Sequence, residues 1–150
     1  MTATVDLRVP QLFLPASPQS VGTEFPYFRL GDTATPLVST SLRGKPTLIT
    51  FVNTWLPQAA AQFSILSELA SQKEINVVAI VPQETASSVA TYKKRAGLSF
   101  ALVADPDGDL IDAFHIHAFP THVVVDRKGI IQSMQTGLYD TQQLLDILIK

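Results

Sequence analysis

The 150-residue sequence contains no cysteine. It therefore has no disulfide, no thiolate metal ligand and no thiol nucleophile of its own, and cysteine usage says nothing of its compartment. Apolar runs are short, none approaching the roughly 18–20 residues that a membrane-spanning helix needs. The first residues lack a basic start followed by an apolar stretch, so no signal peptide is legible. Charge is scarce as well: 16% of residues are charged and the net value is −2, which gives no pull toward nucleic acid. The 7 glycines are scattered, with no Gly-rich phosphate loop among them, and there is no internal repeat or low-complexity segment.

What is present is the composition of a globular domain, 46% apolar. At this length one core suffices, burying roughly 70% of the surface that the unfolded chain exposes. Pro10, Pro15 and Pro18, mixed with Ser and Thr, mark residues 1–21 as an irregular leader or tether, with a short strand expected at 9–14, ahead of a domain over 22–150. A β-branched, apolar run over 47–53 predicts a buried strand. Pro57 suits the first position of a following helix, and Phe63, Leu66, Leu69 and Ala70 recur at helical spacing until about Lys73.

A second apolar strand is expected over 77–81, then a helix over 85–96 with Val89, Tyr92 and Ala96 inward and Gly97 past its end. A strand over 100–104, a turn over 105–108 and a short helix over 109–114 follow. Strands over 121–126 and 130–135, joined by Arg127, Lys128 and Gly129, predict a hairpin, and Asp140 or Thr141 caps a last amphipathic helix using Leu144, Leu145, Ile147 and Leu148. Parallel crossovers in the first half and antiparallel strands in the second predict an α/β fold, a mixed sheet of four or five strands with helices on both faces.

Three stretches carry a family resemblance: Ser41-Leu42-Arg43-Gly44-Lys45-Pro46, then Asn53-Thr54-Trp55-Leu56-Pro57-Gln58-Ala59, then Phe119-Pro120-Thr121. Together with Asp105-Pro106-Asp107-Gly108 and Asp126-Arg127-Lys128-Gly129 they resemble the thioredoxin-like proteins of the TlpA and ResA type, over about 22–150. Peroxiredoxins share the later segments and rank second, because their motif lacks the Trp-Cys-x-x-Cys arrangement echoed here. The resemblance implies a thioredoxin-like fold, a redox cysteine pair at the first strand–helix junction and a cis proline facing it. It also implies an exported or membrane-tethered protein on the extracytoplasmic side.

Carried over, the two cysteine positions are Leu56 and Ala59 in the degenerate motif Trp55, Leu56, Pro57, Gln58 and Ala59. The first is expected at a helix N-terminus, where the dipole would stabilise a thiolate, and at the surface. Neither side chain can attack or resolve a disulfide, so the chain is predicted to be inactive in thiol chemistry. Glu84 corresponds to an acidic residue that the family keeps near its cysteines. Without thiols, a helix-start charge is the simpler role for this vestigial acid.

Pro120 is expected to be cis by the resemblance, leaving the Phe119 backbone outward and able to pair with an extended peptide. Trp55, Leu56, Pro57, Phe119 and Pro120 are expected to converge, with Thr121, into an apolar groove. His115, His117 and His122 lie within eight positions of one another, but no carboxylate at ligand spacing completes a metal set, and structural or surface roles are favoured. Asp105, Asp107 and Asp109 alternate as calcium ligands can, yet the remaining ligands of such a loop are missing. Ser64 has no evident base beside it. No metal or cofactor is expected.

The leading functional expectation is a redox-inactive thioredoxin-like module that binds an extended apolar polypeptide or assists an assembly. Two alternatives stand beside it. One is a thiol-disulfide oxidoreductase whose cysteines were replaced by mutation, and the other is a structural domain of a larger membrane-tethered protein.

Overall fold

The structure, a computed structural model, describes residues 21–30 and 37–149. The strand expected at 9–14 lies outside the described residues. Strands β1 (Arg29–Leu30) and β2 (Leu37–Val38) form an antiparallel ribbon, followed by a 3-10 turn at Ser39–Leu42. The main elements are β3 (Thr47–Phe51), α1 (Ala59–Ala70), β4 (Asn76–Pro82), α2 (Ala86–Ala96) and β5 (Ala101–Asp105). After them come α3 (Asp109–Phe114), β6 (Thr121–Val125), β7 (Ile131–Thr136) and α4 (Thr141–Leu148).

Five strands make one mixed sheet in the order β5-β4-β3-β6-β7. β3 and β4, and β4 and β5, run parallel, whereas β6 is antiparallel to both β3 and β7. All five residues of central β3 are buried, which is why that strand reads as a continuous apolar run. The period of two sends Leu48 and Val52 to one face and Ile49 and Phe51 to the other. On the first face they meet Phe63, Leu66 and Leu69 of α1, Val89 of α2, and Leu144 and Leu148 of α4. On the second they meet Leu110 and Phe114 of α3 together with Phe25 and Phe28, with the Phe25 and Phe114 rings 4.8 Å apart. Helices thus cover both faces, three on one and one on the other.

Several boundaries differ from the sequence reading. α1 begins at Ala59, because Leu56 to Gln58 form a turn closed by the Ala59 N–H donating to the Leu56 carbonyl at 3.0 Å. Pro57 therefore precedes the helix instead of opening it. The helix ends at Ala70, short of Lys73, where the Ser71 hydroxyl donates to the Glu68 carbonyl at 2.6 Å and competes with the next helical bond. Ala96 is exposed, not inward, and Thr85 is the N-cap of α2, its hydroxyl accepting the Ser88 N–H at 3.1 Å. α3 spans the expected residues, and Asp140 caps α4 through a capping box with Gln143. In the hairpin, Asp126 accepts the N–H groups of Lys128 and Ile130, and Gly129 takes the positive φ of 88° that the turn requires.

Candidate functional site

Strand register assembles the site. Phe51, the last residue of β3, pairs with Ile80 of β4 on one side and with Thr121, the first of β6, on the other; Thr121 in turn pairs with Thr136 at the end of β7. The chain leaving β3, the chain entering β6 and the chains leaving β4 and β7 therefore emerge at one end of the sheet. This brings Trp55, Leu56, Glu84, Phe119, Pro120 and Leu138 to a common rim.

The rim is apolar at its outer edge. Trp55 is 70% exposed and Leu138 61% exposed, which makes them the two most prominent apolar side chains here. Pro57 is exposed as well, while Leu56 and Phe119 are half-buried and Pro120 and Thr121 are buried. The expectation that Leu56 lies at the surface is therefore corrected: its side chain is partly packed, and Trp55 supplies the exposed area. The expected helix N-terminus at Leu56 is corrected too, since α1 starts three residues later, and its first residue, Ala59, is 1% exposed.

The peptide bond between Phe119 and Pro120 is cis. The Thr121 hydroxyl donates to the Ala118 carbonyl at 2.8 Å, and the Pro120 carbonyl accepts the Gly137 N–H at 2.9 Å. The backbone of Phe119 makes no hydrogen bond among the described residues.

Glu84 directly precedes Thr85, the N-cap of α2, and its carboxylate also has partners from outside that helix. Its Oε1 accepts the Thr54 hydroxyl at 2.6 Å and its Oε2 accepts the Thr54 N–H at 3.2 Å, so the carboxylate grips the residue before Trp55. Ser88, which needs a cap acceptor in α2, is served by Thr85 instead.

The three histidines separate by environment. His115 and His117 are exposed, with ring centroids 6.1 Å apart. His122 is 0% exposed beneath the rim, with Nδ1 2.9 Å from the Thr50 hydroxyl and Nε2 3.1 Å from the Gly137 carbonyl. A carbonyl can only accept, so Nε2 carries the proton and Nδ1 accepts from Thr50. Burial pushes the imidazole down to about 4, and the contact with Gly137 opposes this weakly. No group of three or more potential metal ligands occurs among the described residues.

Asp105 turns inward. Its carboxylate accepts the N–H groups of Leu110 at 2.9 Å and Asp109 at 3.2 Å, anchoring the start of α3. Burial raises its pKa to about 6 against the lowering effect of those N–H groups. Asp107 is exposed, so the alternating aspartates do not converge on one point.

Sequence reasoning did not single out Thr54 or Leu138 for the site. Leu138 carried a faint signal, an apolar residue directly after a strand-terminating Gly137. The Thr54 contact carried none, because its partner lies thirty positions away. A concavity at the opposite end of the sheet, between Phe25, Leu42, Ile49 and Val125, is remote from all these residues.

The thiol-disulfide oxidoreductase ResA of Bacillus subtilis is 25% identical over 133 residues, covering 86% of this chain and 74% of that protein. The thiol:disulfide interchange protein DsbE of Pseudomonas aeruginosa is 26% identical over 140 residues, covering 84% and 78%. Among solved structures, a thiol:disulfide interchange protein of the thioredoxin family from Chlorobium tepidum superposes with a TM-score of 0.72 at 23% identity, covering 87% of this chain and 97% of its own. The fold is thioredoxin-like. Residues 21–134 match the AhpC/TSA family, and the chain belongs to that family.

Proposed function

We propose that this thioredoxin-like domain serves as a docking surface for an extended apolar polypeptide, without thiol chemistry. The absence of cysteine fits an inactive form of a ResA- or DsbE-related domain. The observation that carries the docking reading is the juxtaposition of an exposed indole at Trp55 with a Phe119 backbone that is unpaired among the described residues, on adjacent strand ends. A free backbone donor and acceptor beside apolar side chains is what an added strand uses, main-chain bonds supplying attraction and flanking pockets the side-chain preference. Leu138 extends the apolar rim beyond Pro120 through the contact of Gly137 with that residue. Binding is expected to be weak, because a shallow rim buries little area and a flexible peptide must be ordered.

An amide NMR titration with a short capped peptide alternating leucine and threonine tests this reading. Shifts are expected at Trp55, Leu56, Phe119 and Thr121 before any in α4. Trp55→Ala should remove the shifts at Phe119 and Thr121 at little cost in stability, since the side chain is largely exposed. Perturbation of α4 alone, or of no residue at this end of the sheet, would refute it.

A further inference from the structure

We propose that Glu84 is the positioning residue of this groove, its carboxylate clamping the turn that presents Trp55. Glu84 comes from the end of β4, whereas Thr54 follows β3, and the two are joined only because Phe51 and Ile80 are paired neighbours in the sheet. The carboxylate takes both donors that Thr54 offers, hydroxyl at 2.6 Å and backbone N–H at 3.2 Å. Hydrogen bonds to an ionised acceptor are roughly twice as strong as neutral ones, and two from one residue fix its backbone and its χ1 together.

Further along, the turn is closed by the Ala59 N–H on the Leu56 carbonyl at 3.0 Å, and Pro57 restricts the backbone of the residue before it. The segment carrying Trp55 is thus held on both sides. An indole that is 70% exposed has little packing to direct it, so its orientation follows the backbone beneath it. A turn fixed in advance reduces the ordering needed when a chain docks against it. Only that last step rests on the docking reading. The clamp itself is a property of the free protein.

The chain holds a single tryptophan, so its fluorescence anisotropy reports Trp55 alone. In Glu84→Ala, amide hydrogen exchange at Thr54 should accelerate about tenfold and Trp55 anisotropy should fall, while exchange in α4 stays unchanged. Glu84→Gln should lie between, and Thr54→Ser, which keeps both donors, should behave as the parent protein. The Kd for the leucine-threonine peptide should rise about tenfold in Glu84→Ala. Should Glu84→Ala fail to fold, Thr54→Val removes the hydroxyl bond alone and is expected to lower the anisotropy in the same direction. Unchanged exchange and anisotropy would overturn the clamp. Faster exchange with an unchanged Kd would overturn its positioning role. A parent protein that binds no peptide would overturn the docking reading, with the clamp still decided by Thr54 exchange and Trp55 anisotropy.

Discussion

His122 and Thr50 face each other across the β3–β6 pair, imidazole Nδ1 to hydroxyl at 2.9 Å, with the ring held in its neutral form under the rim that carries Trp55 and Phe119. The other ring nitrogen reaches the Gly137 carbonyl, and the imidazole and Tyr139 rings pack in a T-shaped arrangement with centroids 5.6 Å apart. One buried side chain thereby ties the start of β6, the centre of the sheet and the turn leading to α4.

This arrangement sets a pH dependence. The folded-state value of about 4 lies below the ordinary 6.5, so the unfolded chain takes up a proton first as pH falls. The stability associated with His122 is complete above 6.5 and is lost as pH drops toward 4, by about 3 kcal/mol over the whole window. In urea unfolding at several pH values, the stability of the parent protein minus that of His122→Gln should fall by about 3 kcal/mol as pH drops from 6.5 toward 4. A difference that stays constant over that window would contradict the assignment.

Asp105 works in the opposite sense. Its folded-state value of about 6 lies above the ordinary 3.8, so the folded protein holds a proton that the unfolded chain releases. Its stabilisation is complete below 3.8 and is lost as pH rises through 6, again by about 3 kcal/mol. The two windows overlap, and the parent protein should vary little between pH 4 and 6. Asp105→Asn should expose the histidine slope, with stability rising steeply with pH, whereas His122→Gln should expose the opposite one. A steep parent profile in that interval would argue against the pairing.

Restored cysteines should remain poor catalysts. Because α1 begins at Ala59, a thiol introduced by Leu56→Cys lies ahead of the helix and gains little from its dipole, so its pKa should stay near the ordinary value of about 8.5. A thiol introduced by Ala59→Cys would be buried. In an insulin-reduction assay with dithiothreitol the parent chain should match background, and the double variant should exceed it only slightly. Turnover by the parent would overturn the redox-inactive reading, and rapid turnover by the double variant would show that a thiol at position 56 is activated by the start of α1.

Removing the cap of the last helix gives a local stability check. Asp140→Ala deletes the acceptor of the Gln143 N–H at 2.8 Å and should cost about 1 kcal/mol in urea unfolding. No loss would mean that the capping box contributes nothing to α4.

The elements legible in the sequence were those whose signal is local. β3 and β4 are buried on both faces and read as unbroken apolar runs, α3 follows its turn at Asp105 to Gly108, and Asp140 precedes a residue pattern that caps and then repeats at helical spacing. What escaped depends on contacts between distant residues. Glu84 sits next to a helix start, yet its carboxylate goes to Thr54 through strand pairing, and His122 is buried against Thr50 and the distant Gly137 and Tyr139. The start of α1 was misread for a different reason. Pro57 fits the first position of a helix and the turn before one equally well, and the Ala59 to Leu56 hydrogen bond selects the turn.

The most direct test of the docking account is a fluorescence titration of Trp55, the sole tryptophan, with the capped leucine-threonine peptide. A saturable blue shift is expected as the exposed indole is covered, and it should be absent with a peptide alternating serine and threonine. No saturable change, or the same change with both peptides, would contradict an apolar docking surface at this end of the sheet.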